Sequence, residues 1–201
     1  MHPNANFRWE DRDAMRAFVA DASFGMLFCA TPDGLRVAHI PVVFDGDDAL
    51  VFHLARGNAL TRQLNGASAL FTLLGPQAYV SPDWYGTGPD EVPTWNYIAV
   101  ELEGRVTKLH EDAVLAQIDA LSKAQEARLA PKPEWLRSKV DPAKIANLLK
   151  GISGFRLEIT AWRGTLKLGQ TKPEAARLAV ADALDEQGRS AIALLTRKPP
   201  Q

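Results

Sequence analysis

The sequence predicts a mainly β, α+β chain in which an antiparallel barrel carries inserted and appended helices. Six or seven strand-like runs follow one another between residues 24 and 109 and again over 152–169. Short turn sequences join several of them, Thr31-Pro32-Asp33-Gly34 most clearly. Helical apolar stripes are confined to the start, to about 111–150 and to about 172–197. Hairpin-linked strands in this number favour closure, because a closed sheet exposes no edge. The 201 residues, 46% hydrophobic and 23% charged, suit one globular domain over 1–201. A chain of this size buries roughly 70% of its unfolded surface, so it needs no metal or disulfide staple.

"EDRDAMRAFVADA" (10–22) sets Met15, Phe18 and Val19 at helical spacing behind acidic residues in the first turn. "FGMLFCAT" (24–31) and "LRVAHIPVVF" (35–44) form a first hairpin, and "DGDD" leads into "ALVFHLA" (49–55) as a second. "GNALTRQLNG" (57–66) reads as a short helix, with Asn58 as cap and Gly66 as stop. Strands follow at 68–75, 77–82 and 95–109. A helical insertion begins with Val114, Leu115, Ile118 and Leu121 on one stripe, then restarts at Asp141-Pro142. The run 152–169 returns to strand with Arg163-Gly164 as its turn. Thr171-Lys172-Pro173-Glu174 then opens the C-terminal helices with a capping-box spacing.

Composition narrows the function. A net charge of −1 gives no general attraction to nucleic acid or acidic membranes. Cys29 is the sole cysteine, so no internal disulfide forms, and its apolar neighbours mark it as a buried small hydrophobe. No stretch approaches the ~20 apolar residues of a membrane span. The opening "MHPNANFRWEDRD" lacks the apolar core of a signal peptide, so a cytoplasmic protein is expected.

Four stretches carry candidate chemistry. A turn centred on Gly46 would place His39 opposite His53, as a hydrogen-bonded structural pair or as ligand contacts. Two histidines without a third ligand make an incomplete metal site. "HLARGNALTRQL" crowds Arg56, Gly57, Asn58, Thr61 and Arg62 where a strand gives way to a helix start, a suitable place for a phosphate. Caps and surface arginines produce the same pattern. "AYVSPDWYGTGPDEVPTWNY" (78–97) gathers Tyr79, Trp84, Tyr85, Trp95 and Tyr97 with Ser81, Thr94 and Asn96. Aromatic faces with a few directed polar atoms suit a planar heteroaromatic ligand, or else an aromatic mini-core. "TLKLGQ" adds Lys167 and Gln170, a cation and an amide.

In this order, "MHP…F", "AHIP", "HLARGN", "AYVSPDWY", "VPTWNY", "GF" and "KLGQ" resemble the PaiB-like proteins, the FMN-binding negative transcriptional regulators, over nearly the whole chain. The resemblance implies an FMN-binding split β-barrel of antiparallel Greek-key type, related to the pyridoxamine-phosphate oxidase group. It implies a homodimer with FMN in the groove between subunits. It makes Arg56 and Asn58 phosphate or ribityl contacts, with His39 and His53 flanking the groove. Ser81, Thr94, Asn96 and Tyr97 become polar and aromatic neighbours of the cofactor, with Trp95 packing. Lys167 and Gln170 match the family's Lys-Leu-Ser-Gln-Asn stretch and would approach from the partner subunit. Loss of Asn96 and Thr94 together is expected to weaken flavin binding. The sequence departs from the family pattern at His2, where tyrosine is usual, and at Gly169 and Thr171, which replace Ser and Asn. The loop before Val92 is also short and lacks a lysine.

The function implied is negative transcriptional regulation. The alternative is a flavin-dependent oxidoreductase or flavin reductase, and a haem-binding split barrel ranks third. No side-chain catalyst stands out. A DNA reader should show a basic recognition element. Here the C-terminal segment mixes Arg189, Arg197 and Lys198 with Glu174, Asp182, Asp185 and Glu186, which reads as a packing helix pair.

Overall fold

A computed structural model of the protein describes residues 2–200. Met1, which opens the "MHP" stretch, lies outside the described residues. The chain divides into two compact units. One comprises the chain up to Arg16, Leu73–Glu101 and the chain from Arg163; the other comprises Ala17–Thr72 and Leu102–Trp162. The strands are β1 (Arg8–Trp9), β2 (Phe24–Thr31), β3 (Gly34–Pro41), β4 (Val43–Phe44), β5 (Ala49–Ala55), β6 (Ser68–Val80), β7 (Thr94–Lys108) and β8 (Ile152–Lys167). They form one antiparallel sheet in the order β3-β2-β6-β7-β8-β5-β4, with β1 on β8.

The second unit holds β2 to β5 and the adjoining parts of β6, β7 and β8. β3 and β4 end the strand order and form no ladder with each other, so hydrogen bonds do not close the sheet. Yet only Val42 separates Pro41 of β3 from Val43 of β4. The chain itself therefore brings the two sheet ends together, and the Val42 amide donates to the Ser23 carbonyl at 2.9 Å. This is a split barrel, in which the sheet stays open between β3 and β4 and only the chain at Val42 crosses the gap. Inside it Phe52 stacks on Phe155 with ring centroids 5.7 Å apart. Leu27, Phe71, Leu102 and Leu157 are fully buried beside them. Each such side chain contributes about 1.5–3 kcal/mol relative to exposure.

Helix α2 (Glu111–Glu126) and helix α3 (Pro142–Leu149) follow β7 in the same unit. Asp141 caps α3 by accepting from the Ala143 amide at 2.8 Å. α2 lies tight on β8: a Cβ on Gly154 would stand 2.5 Å from Val114 Cγ2. The expected helix over 57–66 is instead a series of turns. Asn58 Oδ1 accepts from the Leu60 amide, and the Thr61 hydroxyl donates back to the Ala55 carbonyl. Local side-chain bonds of this kind satisfy the backbone without a helix.

In the first unit, α4 (Glu174–Glu186) and α5 (Ser190–Arg197) bury Val180, Leu184, Ile192 and Ala193. Helix α1 (Arg12–Ala22) begins here, with the Asp11 carboxylate accepting from the Ala14 amide at 2.9 Å. Three expectations change. The runs 68–75 and 77–82 are one strand, β6. Arg163-Gly164 is no turn, because β8 continues through it. Gly164 is there for β1: a Cβ would sit 2.7 Å from both Trp9 Cβ and Met15 Sδ. Thr171 caps nothing, since Pro173 takes the N-cap position of α4 without a side-chain bond. Among the described residues no helix is long and apolar enough to cross a membrane.

Candidate functional site

The ten candidate residues divide between the units. His39, His53, Arg56 and Asn58 belong to the second, and Ser81, Thr94, Asn96, Tyr97, Lys167 and Gln170 to the first.

The structure does not pair His39 with His53. The turn is shifted, so that Val43 faces Val51 and Phe44 faces Leu50, and β3 does not ladder with β5. His39 lies opposite Met26 on β2, and His53 opposite Gly154 on β8. His53 instead meets Gln117 of α2, Nδ1 to Oε1 at 2.8 Å. With the amide oxygen facing it, Nδ1 is the donor of this bond. Gln117 is 3% exposed, and its Nε2 has no hydrogen-bond partner among the described residues. The signal for it was present: Gln117 is an amide on the buried stripe that begins at Val114.

Arg56 stands where β5 ends. Its amide donates to the Gly151 carbonyl and its Nε to the Ile152 carbonyl at 3.1 Å. These bonds aim the guanidinium while Nη1 and Nη2 carry no partner among the described residues. Asn58 is half-buried and spends its side-chain oxygen on the loop backbone. A cleft of about 450 Å³ opens beside Arg56, with Lys108, His110 and Ser153 in its lining.

In the first unit β7 alternates. Thr94 and Asn96 face one side, and Trp95 and Tyr97 the other. Lys167 Nζ donates to Thr94 Oγ1 at 2.6 Å and stands 5.8 Å from the Phe7 ring centre. Asn96 is 2% exposed and donates to the hydroxyl of buried Thr196 on α5 at 3.1 Å. Gln170 accepts from the Leu168 amide at 2.8 Å and donates to the Leu166 and Asn6 carbonyls. Ser81 precedes a one-turn 3₁₀ helix, Pro82–Tyr85, and its hydroxyl makes no cap bond. Trp95 is exposed and meets Tyr79 edge to face, with centroids 6.2 Å apart. Burial, and then the charge of Glu101, push the Tyr97 phenol above its usual 10. It is therefore a neutral donor at physiological pH.

The departures from the family pattern have local causes. Gly169 has φ +77°, a left-handed conformation that serine adopts only under strain. His2 accepts the Asn4 amide at 3.1 Å and packs edge to face on Phe7.

The family model described as "Putative FMN-binding domain" matches residues 1–161, a span that ends before Lys167 and Gln170. The chain is 28% identical over 186 residues to protease synthase and sporulation protein PAI 2 of Bacillus subtilis, covering 90% of this chain and 87% of that protein. The FAD and heme binding protein of Mycobacterium smegmatis shares the fold, with a TM-score of 0.59 and 18% identity over 80% of this chain and 73% of that one. So does the flavocytochrome Anf3 of Azotobacter vinelandii, with a TM-score of 0.58 and 15% identity over 83% of this chain and 72% of that one. A match across four-fifths of the chain, on a split barrel, makes this protein a member of the FMN-binding domain family, whose cofactor is FMN.

Proposed function

We propose that this protein binds FMN and that the oriented guanidinium of Arg56 holds its phosphate. The donors suit the cofactor. A phosphate calls for a fixed fork, and Arg56 is held at Nε with both Nη groups open. Within the first unit, Lys167, steadied by Thr94, and neutral Tyr97 are donors of the sparse, directed kind that a flavin ring calls for. Arg56 is the observation that carries the reading. FMN, when bound, supplies electron-transfer chemistry, while the protein binds and orients it. Asn96 and Gln170 are assigned to the fold, because their polar atoms bond within the unit. Titration of the protein with FMN, followed by flavin fluorescence, should saturate at about one flavin per chain. A flat titration would overturn the reading.

The regulatory role is carried by the flavin-bound protein and not by a DNA-reading helix of its own. Arg197 bonds to Asp182 at 2.7 Å and to Asp185 at 2.8 Å, and Arg177 donates to the Thr196 carbonyl. Arg197 and Arg177 are thus spent within the α4–α5 pair, which leaves Arg189 and Lys198, one at each end of α5, as the exposed cations there. Micromolar protein at physiological salt should not shift promoter DNA.

The protein acts as a homodimer through the outer face of β2 and β3. Phe24, Leu35 and Val37 are 55%, 77% and 43% exposed on strands that otherwise build a barrel. Phe28 faces both Val37 and Leu70 in the ladders, which makes the apolar surface continuous. His39 lies within this face, opposite Met26. The double change Leu35→Glu, Val37→Glu should give a folded monomer by sedimentation.

A further inference from the structure

The cleft beside Arg56 gathers several hydrogen-bond donors that the fold leaves open. It lies within the second unit, between the end of β5, the end of β7, the start of β8 and the N-terminus of α2. Two cations line it, Arg56 and Lys108, against one carboxylate, Glu111. The α2 N-terminus presents amide N–H groups, and its N-cap, His110, makes no side-chain cap bond. Asn65 fixes the corner by accepting the Lys108 amide at 2.9 Å, which turns its own NH₂ outward. Ser153 is the independent sign. It lines the cleft, is 8% exposed, and its hydroxyl has no hydrogen-bond partner among the described residues. Its oxygen is not among the fully buried polar atoms, so it opens into the cleft and can donate there.

We propose that this cleft binds a phosphate group, as inorganic phosphate or a phosphate monoester, between Arg56 Nη, Lys108 Nζ, Asn65 Nδ2 and Ser153 Oγ. All four are donors, and tetrahedral oxygens accept from several directions at once. Glu111, at the rim, opposes the anion and limits its affinity. The phosphate has two possible sources, the phosphate of FMN itself or a separate phosphorylated metabolite. The first deepens the flavin reading above and rests on it. The second does not, and it would take Arg56 from the flavin.

The test compares the full-length protein with Lys108→Met, Ser153→Ala and Glu111→Gln, using FMN, riboflavin and inorganic phosphate as probes in phosphate-free buffer. Lys108 and Glu111 are exposed, so their variants leave the fold intact. If the cleft takes the flavin's phosphate, Lys108→Met and Ser153→Ala each weaken FMN by about threefold to tenfold and leave riboflavin unchanged. Inorganic phosphate then competes with FMN alone. If it takes a separate phosphate, FMN affinity is unchanged, but phosphate binding saturates in calorimetry and weakens by a similar factor in the same variants. Glu111→Gln tightens whichever ligand is used. Phosphate binding without any flavin binding would keep this site and remove the flavin reading. The site is refuted if FMN and phosphate affinities in all three variants stay within about twofold of wild type.

Discussion

Two groups of polar residues, Arg56 with its cleft and the Asn96–Gln170 group, look alike as sequence and behave differently as structure. At Arg56 the fold holds one end of a donor and leaves the other open. At Asn96 and Gln170 it bonds the polar atoms to α5 and to the chain's own backbone. Both groups sit in family motifs, so motif membership alone does not separate a ligand contact from a folding contact. The separating observation is where the hydrogen bonds go. A residue whose polar atoms are already paired inside the fold has little to offer a cofactor.

The sharpest way to break that contrast is Arg56→Ala. A charge-assisted contact contributes about 1.5–3 kcal/mol, so FMN affinity should fall roughly tenfold to a hundredfold with little change in melting temperature. Fluorescence titration reads it directly. Asn96→Ala should do the reverse. It strands the buried Thr196 hydroxyl and should cost about 1–3 kcal/mol, a fall of a few degrees in Tm by calorimetry, while the folded fraction binds FMN as before. Restoring the family serine with Gly169→Ser should cost about 1–2 kcal/mol through the left-handed backbone alone. An unchanged Tm in that variant would show that the turn relaxes.

The smallest effect is acidic. The Arg137 guanidinium bonds Asp119 at 2.8 and 2.9 Å and holds its carboxyl below the usual 3.8. A depressed carboxyl pKa contributes stability above the unfolded value and loses it as pH falls through the folded value. Amides of the segment that follows α2 should therefore gain exchange relative to the barrel only below about pH 3.8. Asp119→Asn removes that dependence.

The sequence carried the strands that obey alternation. β2 and β5 occupy the expected residues, and β7 differs by one position at each end. It failed where a tertiary neighbour decides. Gly164 reads as a turn until Trp9 and Met15 are seen against it. Gly75-Pro76 reads as a break, yet β6 runs through both residues. Asn58 reads as a helix cap, although its side chain and that of Thr61 bond the local backbone of a turn. The His39–His53 pairing failed because Val42 ends β3 before the second hairpin begins. Among candidate residues, the place of Arg56 after a strand was legible in the sequence. The bond of Asn96 to Thr196 was not, because the two lie 100 positions apart. Nothing local in the sequence marks Ser153 and Lys108 as neighbours of Arg56 in one cleft.

The most direct test of this account is one FMN titration on three proteins, the wild type, Arg56→Ala and Asn96→Ala, each corrected for its folded fraction. The account predicts a loss of about tenfold or more for Arg56→Ala and none for Asn96→Ala. Loss of binding in Asn96→Ala with Arg56→Ala unaffected would contradict it, returning the "VPTWNY" amide to the cofactor and Arg56 to the surface.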